Sequence, residues 1–243
     1  MTRRRFFAPP SAFNFGKGVV TLTADEARHL REVLRLKVGD EVQVFDGEGR
    51  EFRAVVAQAR REFAELELRD ETESPKPESP LKLTLAVALL KGEKFDLVVQ
   101  KGTELGVNKF VPVVTRYADI RLRDEGDATK RVTRWQRIAL EAAKQCGRSV
   151  VPEITAPAEF ASVISENLCL MFSERGGQAL NTDLKADNLT AIIGSEGGWS
   201  DEELDQARAA GVSLITLGGR ILRAETAAIA TAVLLQHLYG DLK

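Results

Sequence analysis

Leu217-Gly218-Gly219-Arg220-Ile221-Leu222-Arg223-Ala224-Glu225-Thr226-Ala227 carries a short apolar strand through a glycine turn and directly into a helix. The strand is expected over residues 213–217 and the helix over 224–239. An arginine, a carboxylate and a hydroxyl crowded at one helix start are costly to desolvate unless they meet partners or a ligand. A second loop of the same kind, Gly194-Ser195-Glu196-Gly197-Gly198, follows a buried strand at 190–194. It leads into Ser200-Asp201-Glu202-Glu203, a capping box that opens a helix ending at Gly211. In open α/β sheets ligands bind at the carboxyl ends of strands, and glycine lets the backbone approach them closely. The two loops therefore mark a candidate pocket. Neither has the Walker or dinucleotide spacing, and the plainer reading, a turn into a capped helix, stays open.

Upstream, strands and helices alternate. Residues 81–90 read as a buried strand, and 93–105 as a helix with Phe95, Val98, Val99 and Leu105 inward and Gly106 as its stop. Residues 109–114 form the next strand, 129–145 a long basic helix and 168–172 a short buried strand. Strands separated by helices imply an α/β domain with a mainly parallel sheet covered on both faces. Residues 73–80 hold three prolines, which forbid helix and ladder alike, and are assigned as a linker. Before the linker, Thr23-Ala24-Asp25-Glu26 is a capping box for a helix reaching about Leu34, and residues 42–45, 52–56 and 63–68 alternate with period two. The expected organisation is a small β-rich barrel at 1–72, the linker at 73–80 and the α/β domain at 81–243.

A length of 243 residues suits two domains with real cores, and 44% hydrophobic with 29% charged residues describes a soluble globular chain. The net charge of −2 hides segregation: residues 1–37 carry eight Lys and Arg against three acids, 73–148 fifteen against ten, and 149–243 six against thirteen. Two basic stretches could neutralise phosphates, or simply solvate helix faces. Two cysteines and two histidines make metal chemistry or a disulfide framework a poor expectation. With no apolar leader and no membrane-length run, a cytoplasmic location is the default expectation.

Six motifs occur in order along the chain: Arg4-Arg5-Phe6-Phe7, His29-Leu30-Arg31-Glu32-Val33-Leu34-Arg35 with Val38-Gly39-Asp40, Lys101-Gly102-Thr103-Glu104-Leu105-Gly106-Val107, Gln145-Cys146-Gly147-Arg148, residues 193–198, and residues 217–227. Together they resemble the E-type small-subunit ribosomal RNA methyltransferases. The resemblance implies a PUA-like β-barrel followed by a SPOUT domain whose carboxy-terminal trefoil knot holds S-adenosyl-L-methionine. It also implies methylation of N3 of a decoding-region uridine in 16S ribosomal RNA, free or in the assembled 30S subunit, by a homodimer. A related SPOUT enzyme acting on another nucleoside, and a non-catalytic RNA-binding assembly factor, are the alternatives.

Carried over by position, the donor pocket falls on Gly194, Glu196, Gly197, Gly198, Leu217, Gly218, Ile221, Leu222 and Arg223, with Glu225 and Thr226 beside them. Leu89 and residues 173–175 end earlier strands and are expected in the same crevice. Apolar Ile and Leu would sandwich an adenine ring while backbone groups fix its orientation. Glu196 and Glu225 either favour a positive sulfonium or cap the following helices. Arg223 is the catalytic candidate, because uracil N3 is a poor nucleophile until negative charge spreading to its carbonyl oxygens is stabilised. The RNA-contacting candidates are Arg3, Arg4, Arg5, Lys17, Arg28, Arg31 and Arg35 on the barrel, with Gln145 and Arg148. Cys146 is read as a small apolar filler, Cys169 and Trp135 as core, His29 as barrel packing and His237 as core or interface.

Overall fold

The computed structural model describes residues 4–72, 77–164, 168–182 and 186–243. The chain divides into two compact units, Met1–Glu78 with Ala143–Val151, and Ser79–Ala142 with Pro152–Lys243. Part of the proposed linker, residues 73–76, lies outside the described residues, as does Arg3.

In the first unit, β1 (Arg5–Phe7), β2 (Phe13–Asn14), β3 (Val19–Leu22), β4 (Glu41–Phe45), β5 (Glu51–Ala59) and β6 (Ala64–Thr72) form one six-stranded sheet in the order β1-β4-β5-β6-β3-β2. Only β1 and β4 run parallel; the other pairs are antiparallel. Alternation along β4, β5 and β6 sends Val42, Val44, Ala54, Val56, Ala64 and Leu66 into one core with Phe6, Leu22 and Leu30. Two register shifts between β5 and β6, at Phe52/Ala54 and Val56/Gln58, bend the sheet. Helix α1 (Ala24–Arg28) continues as a wider turn over His29–Val33. The capping box expected at Thr23 does not form, because the Glu26 carboxylate instead accepts a 2.6 Å hydrogen bond from Lys144 Nζ. His29 packs edge-on against Phe6, with ring centroids 6.1 Å apart.

Two arginines expected at RNA are consumed inside this unit. Arg5 is 3% exposed and makes a bidentate pair with the fully buried Glu51, both bonds 2.9 Å. Its guanidinium also donates to the Arg148 carbonyl (2.9 Å) and Ser149 Oγ (3.2 Å), and lies 3.9 Å from the Phe45 ring centroid. Arg148 is 5% exposed and bonds Glu78 through Nε (3.0 Å) and a terminal nitrogen (2.5 Å). Both side chains face protein carboxylates rather than solvent and leave the phosphate-contacting set. A guanidinium removed from water needs a fixed anion, and Glu51 and Glu78 are those anions here.

In the second unit, β7 (Lys82–Ala88), β8 (Lys109–Val114), β9 (Glu153–Ile154), β10 (Ala158–Glu159), β11 (Cys169–Phe172), β12 (Asn188–Ile193) and β13 (Ser213–Ile215) make a seven-stranded sheet. Its order is β10-β8-β7-β12-β11-β13, with β9 also on β8, and every pair is parallel. Parallel strands need crossovers, supplied by α2 (Lys94–Glu104), α3 (Glu125–Cys146), α4 (Phe160–Val163) and α5 (Asp201–Ala209), before α6 (Ala224–Tyr239) ends the chain. Met171, Ile192, Trp199, Leu204, Val113 and Phe160 share one buried cluster. Helix α3 starts a turn earlier than the sequence suggests, because Asp124 Oδ1 accepts from the Asp127 amide at 2.8 Å and so holds a start that includes Gly126. Trp135 is core, with Nε1 donating to Asp96 at 3.0 Å, whereas His237 is exposed rather than core. No helix among the described residues is long and apolar enough to cross a membrane.

Replacing Arg5 by Met should lower the unfolding free energy by about 3–5 kcal/mol, since Glu51 is left buried and unpaired. The double variant Arg5→Met, Glu51→Leu should lose less than Arg5→Met alone. Urea titration checks both; equal losses would mean that the charge pairing is not what matters.

Candidate active site

Three neighbouring strands, β12, β11 and β13, end on one side of the second sheet, and a cavity of about 400 Å³ opens there. Its walls come from Phe172 at the end of β11 with Ser173 and Glu174 after it, from Ile193 at the end of β12 with residues 194–199 after it, and from Leu217 and Arg220 to Arg223 in the loop before α6, with Ala224 and Ala227 on the helix. This is the position that the carboxyl-end rule for parallel sheets assigns to a ligand.

The β12 loop is rigidly mounted. Ser200 caps α5 with a complete capping box: the Glu203 amide donates to Ser200 Oγ (3.2 Å) and the Ser200 amide to Glu203 Oε2 (2.9 Å). The other Glu203 oxygen accepts from the Arg116 amide at 2.9 Å, so the segment after β8 is tied to the same point. Trp199, 2% exposed, donates from Nε1 to the Phe172 carbonyl (2.8 Å), fastening the loop to the end of β11. Gly198 has φ +70°, which favours glycine. At Gly197 a Cβ would fall 2.7 Å from the Tyr117 Cβ, so the two backbones touch only because residue 197 has no side chain.

Charge at the cavity is organised by Lys94, at the first turn of α2. Its ammonium bonds Glu196 Oε1 at 2.7 Å and stands 3.8 Å from Glu225 Oε2. Burial, the largest influence on Glu196, opposes its ionisation. The hydrogen bond from Lys94, backbone amides and the Lys94 charge together outweigh it and hold the carboxyl below the ordinary glutamate range. Glu196 is therefore an anion at neutral pH and a poor proton acceptor.

Of the residues expected at the pocket, Gly194, Glu196, Gly197, Gly198, Leu217, Ile221, Leu222 and Arg223 line the cavity. Gly218, Glu225 and Thr226 adjoin wall residues in sequence but are not on the wall, and Leu89 is buried after β7 with its amide on the Val113 carbonyl. The wall also includes Ser195 and Arg220, which belong to the two expected loops, and Phe172 and Trp199, which sequence reasoning missed. The available signal was their adjacency to the two glycine loops. On the first unit, Arg4, Lys17, Arg28 and Arg35 are exposed and Arg31 half-buried; Arg28 is paired with Glu32 at 3.2 Å and Arg4 with Asp40 at 3.6 Å. Gln145 is exposed.

The walls fit an adenosyl-type ligand. Ser195 Oγ is buried with no hydrogen-bond partner among the described residues, a polar atom left for something in the cavity. Apolar Leu217, Ile221 and Leu222 provide ring surface, and Ile221 is 87% exposed.

Comparison with known proteins agrees with this geometry. The RNA methyltransferase domain family matches residues 77–236, and the RNA methyltransferase PUA domain family matches residues 22–69. Ribosomal RNA small subunit methyltransferase E of Synechocystis sp. is 38% identical over 87% of this chain and 70% of that protein. The protein of the same name from Rickettsia conorii is 31% identical over 91% of both. The crystal structure of ribosomal RNA small subunit methyltransferase E from Neisseria gonorrhoeae bound to S-adenosyl methionine has a TM-score of 0.87 and 33% identity, covering 99% of this chain and 100% of that one. A putative methyltransferase of Legionella pneumophila, also in complex with S-adenosyl methionine, gives a TM-score of 0.89 at 30% identity over the whole of both chains. With its barrel-like first unit, its parallel second sheet and a cavity at the ends of β12, β11 and β13, the chain belongs to the ribosomal RNA small subunit methyltransferase E family.

Proposed function

We propose that this chain transfers the methyl group of S-adenosylmethionine to N3 of a decoding-region uridine in 16S ribosomal RNA. The observation that carries the proposal is the cavity walled by the loops after β12 and β13, in a chain that superposes over its whole length on a relative solved with S-adenosyl methionine bound. Leu217, Ile221 and Leu222 would hold the adenine, Ser195 Oγ would supply a hydrogen bond, and Glu196 and Glu225, two carboxylates sharing the single Lys94 ammonium, would favour the positive end of the donor. When bound, the donor supplies an electrophilic methyl on a cationic sulfur. The N3–C bond forms as the S–C bond breaks, giving methyluridine, a neutral thioether and one proton.

The chain's own contribution is placement and charge. Arg223 stands at the residue before α6, on the cavity wall, and its exposed guanidinium is available to the uracil carbonyl oxygens as N3 gives up its proton. Lys17, Arg35 and the other open cations of the first unit would hold phosphates. The reading includes a homodimer and a knotted carboxy-terminal third. Val233 on α6 stands 37% exposed, with Ile229, Leu234 and Leu238 half-buried beside it, an apolar face suited to a second copy.

Mass-spectrometric mapping of ribosomal RNA from cells with and without the protein should show loss of one N3-methyluridine; loss of methyl at another nucleoside would select the related-enzyme reading. Calorimetry should show S-adenosylmethionine binding, and absence of binding by folded protein would select the non-catalytic one. Arg223→Ala should lower kcat about 100-fold while donor affinity changes little, since its partner charge develops near the transition state. RNA affinity should fall steeply with salt, and Lys17→Ala should reduce the log–log slope by about one.

A further inference from the structure

Tyr117 stands beside the cavity wall, against Gly197. It follows β8, outside the cavity wall, and packs on a residue that forms the wall: the missing side chain of Gly197 is what brings the two together. It is the one large aromatic side chain of the second unit that is exposed among the described residues, at 49%. The cavity's own aromatics, Phe172 and Trp199, are 7% and 2% exposed, so neither offers a face to a ligand base.

The ring is exposed but its mount is fixed. The Arg116 amide is held by Glu203, the Ala118 amide bonds the Thr115 carbonyl (3.3 Å), and Arg121 donates to the Arg116 carbonyl (3.1 Å). Asp119 is paired with Lys91 at 2.8 Å. Backbone on both sides of Tyr117 is thus ordered before any ligand arrives, which lowers the entropy cost of using the ring. The segment 115–123 carries three arginines against one aspartate, and that aspartate is already neutralised by Lys91. An exposed, pre-ordered aromatic in a cationic segment is the combination that receives an unstacked nucleotide.

We propose that Tyr117 is the stacking platform for the extruded target pyrimidine, holding it at the rim of the cavity while Arg116, Arg121 and Arg123 meet the flanking phosphates. The proposal rests on the reading of the chain as an RNA methyltransferase and adds the residue that seats the acceptor. Enzymes that act on a base take it out of the stack and hold it against aromatic or apolar side chains. The duty is carried by the ring face, so the hydroxyl is dispensable.

The test compares wild type, Tyr117→Phe and Tyr117→Ala in methyl transfer to small-subunit ribosomal RNA and in S-adenosylmethionine affinity. The alanine variant keeps the Cβ and backbone that touch Gly197, so donor affinity and thermal midpoint should stay at wild-type values. Its kcat/KM for RNA should fall about 5- to 150-fold, the range for losing one stacked base, and the phenylalanine variant should stay within about threefold of wild type. On RNA whose target nucleotide is abasic, wild type and Tyr117→Ala should bind equally. Wild-type kcat/KM in Tyr117→Ala, or an affinity loss that persists on abasic RNA, would overturn the platform. A wild-type protein that binds the donor and methylates no RNA would instead defeat the reading beneath it.

Discussion

One buried carboxylate, Glu203, organises the candidate active site. Through one oxygen and its own amide it closes the capping box with Ser200, and so fixes where α5 begins and where the β12 loop must stop. Through the other oxygen it takes the Arg116 amide and fixes the segment that follows β8. A carboxylate that is 7% exposed and accepts two backbone amides is satisfied without a cation, so the junction holds its geometry without attracting solvent. The cavity wall and Tyr117 consequently share a single anchor. Replacing Glu203 would loosen both sides of Gly197 at once, which distinguishes it from an ordinary helix cap.

The charges around the cavity divide by role in a similar way. Lys94 neutralises Glu196 in part and approaches Glu225, keeping two carboxylates close to a site without letting them repel each other. Arg223 makes no such internal pair among the described residues and stays exposed at the helix start. Groups that shape the loops are paired, whereas the group assigned to the developing charge is free to meet it. A guanidinium already bound to a carboxylate would have to break that bond before helping the transition state.

The second unit was legible in the sequence to within a few residues because its signals are local. Buried runs give β7, β8, β11 and β12, Ser200 and Gly211 bracket α5, and residues 224–239 read as α6 over the range observed. The two glycine loops located the cavity. What escaped depended on partners distant in sequence: Thr23 carries the same capping pattern as Ser200, yet Glu26 turns to Lys144, 118 residues away. Arg5 and Arg148 were counted as surface cations because charge counting assumes exposure, and nothing local announces Glu51 or Glu78. The assignment of residues 143–151 to the first unit has the same origin, since Arg5 and Ser149 both reach Glu51. Tyr117 belongs to no motif, and only its contact with Gly197 gives it a place.

The fate of the first unit's arginines separates two uses of positive charge. Arg5 and Arg148 are buried and each is paired with a carboxylate, so they specify structure and contribute little to the outer field. Arg35 is the opposite case: it is exposed, forms no ion pair among the described residues, and has φ +54°, the one positive value among the described non-glycine residues. That conformation costs an L-residue roughly 1–2 kcal/mol, and glycine would occupy it freely. Under the proposed function, the phosphate that an open cation would meet here offsets that cost.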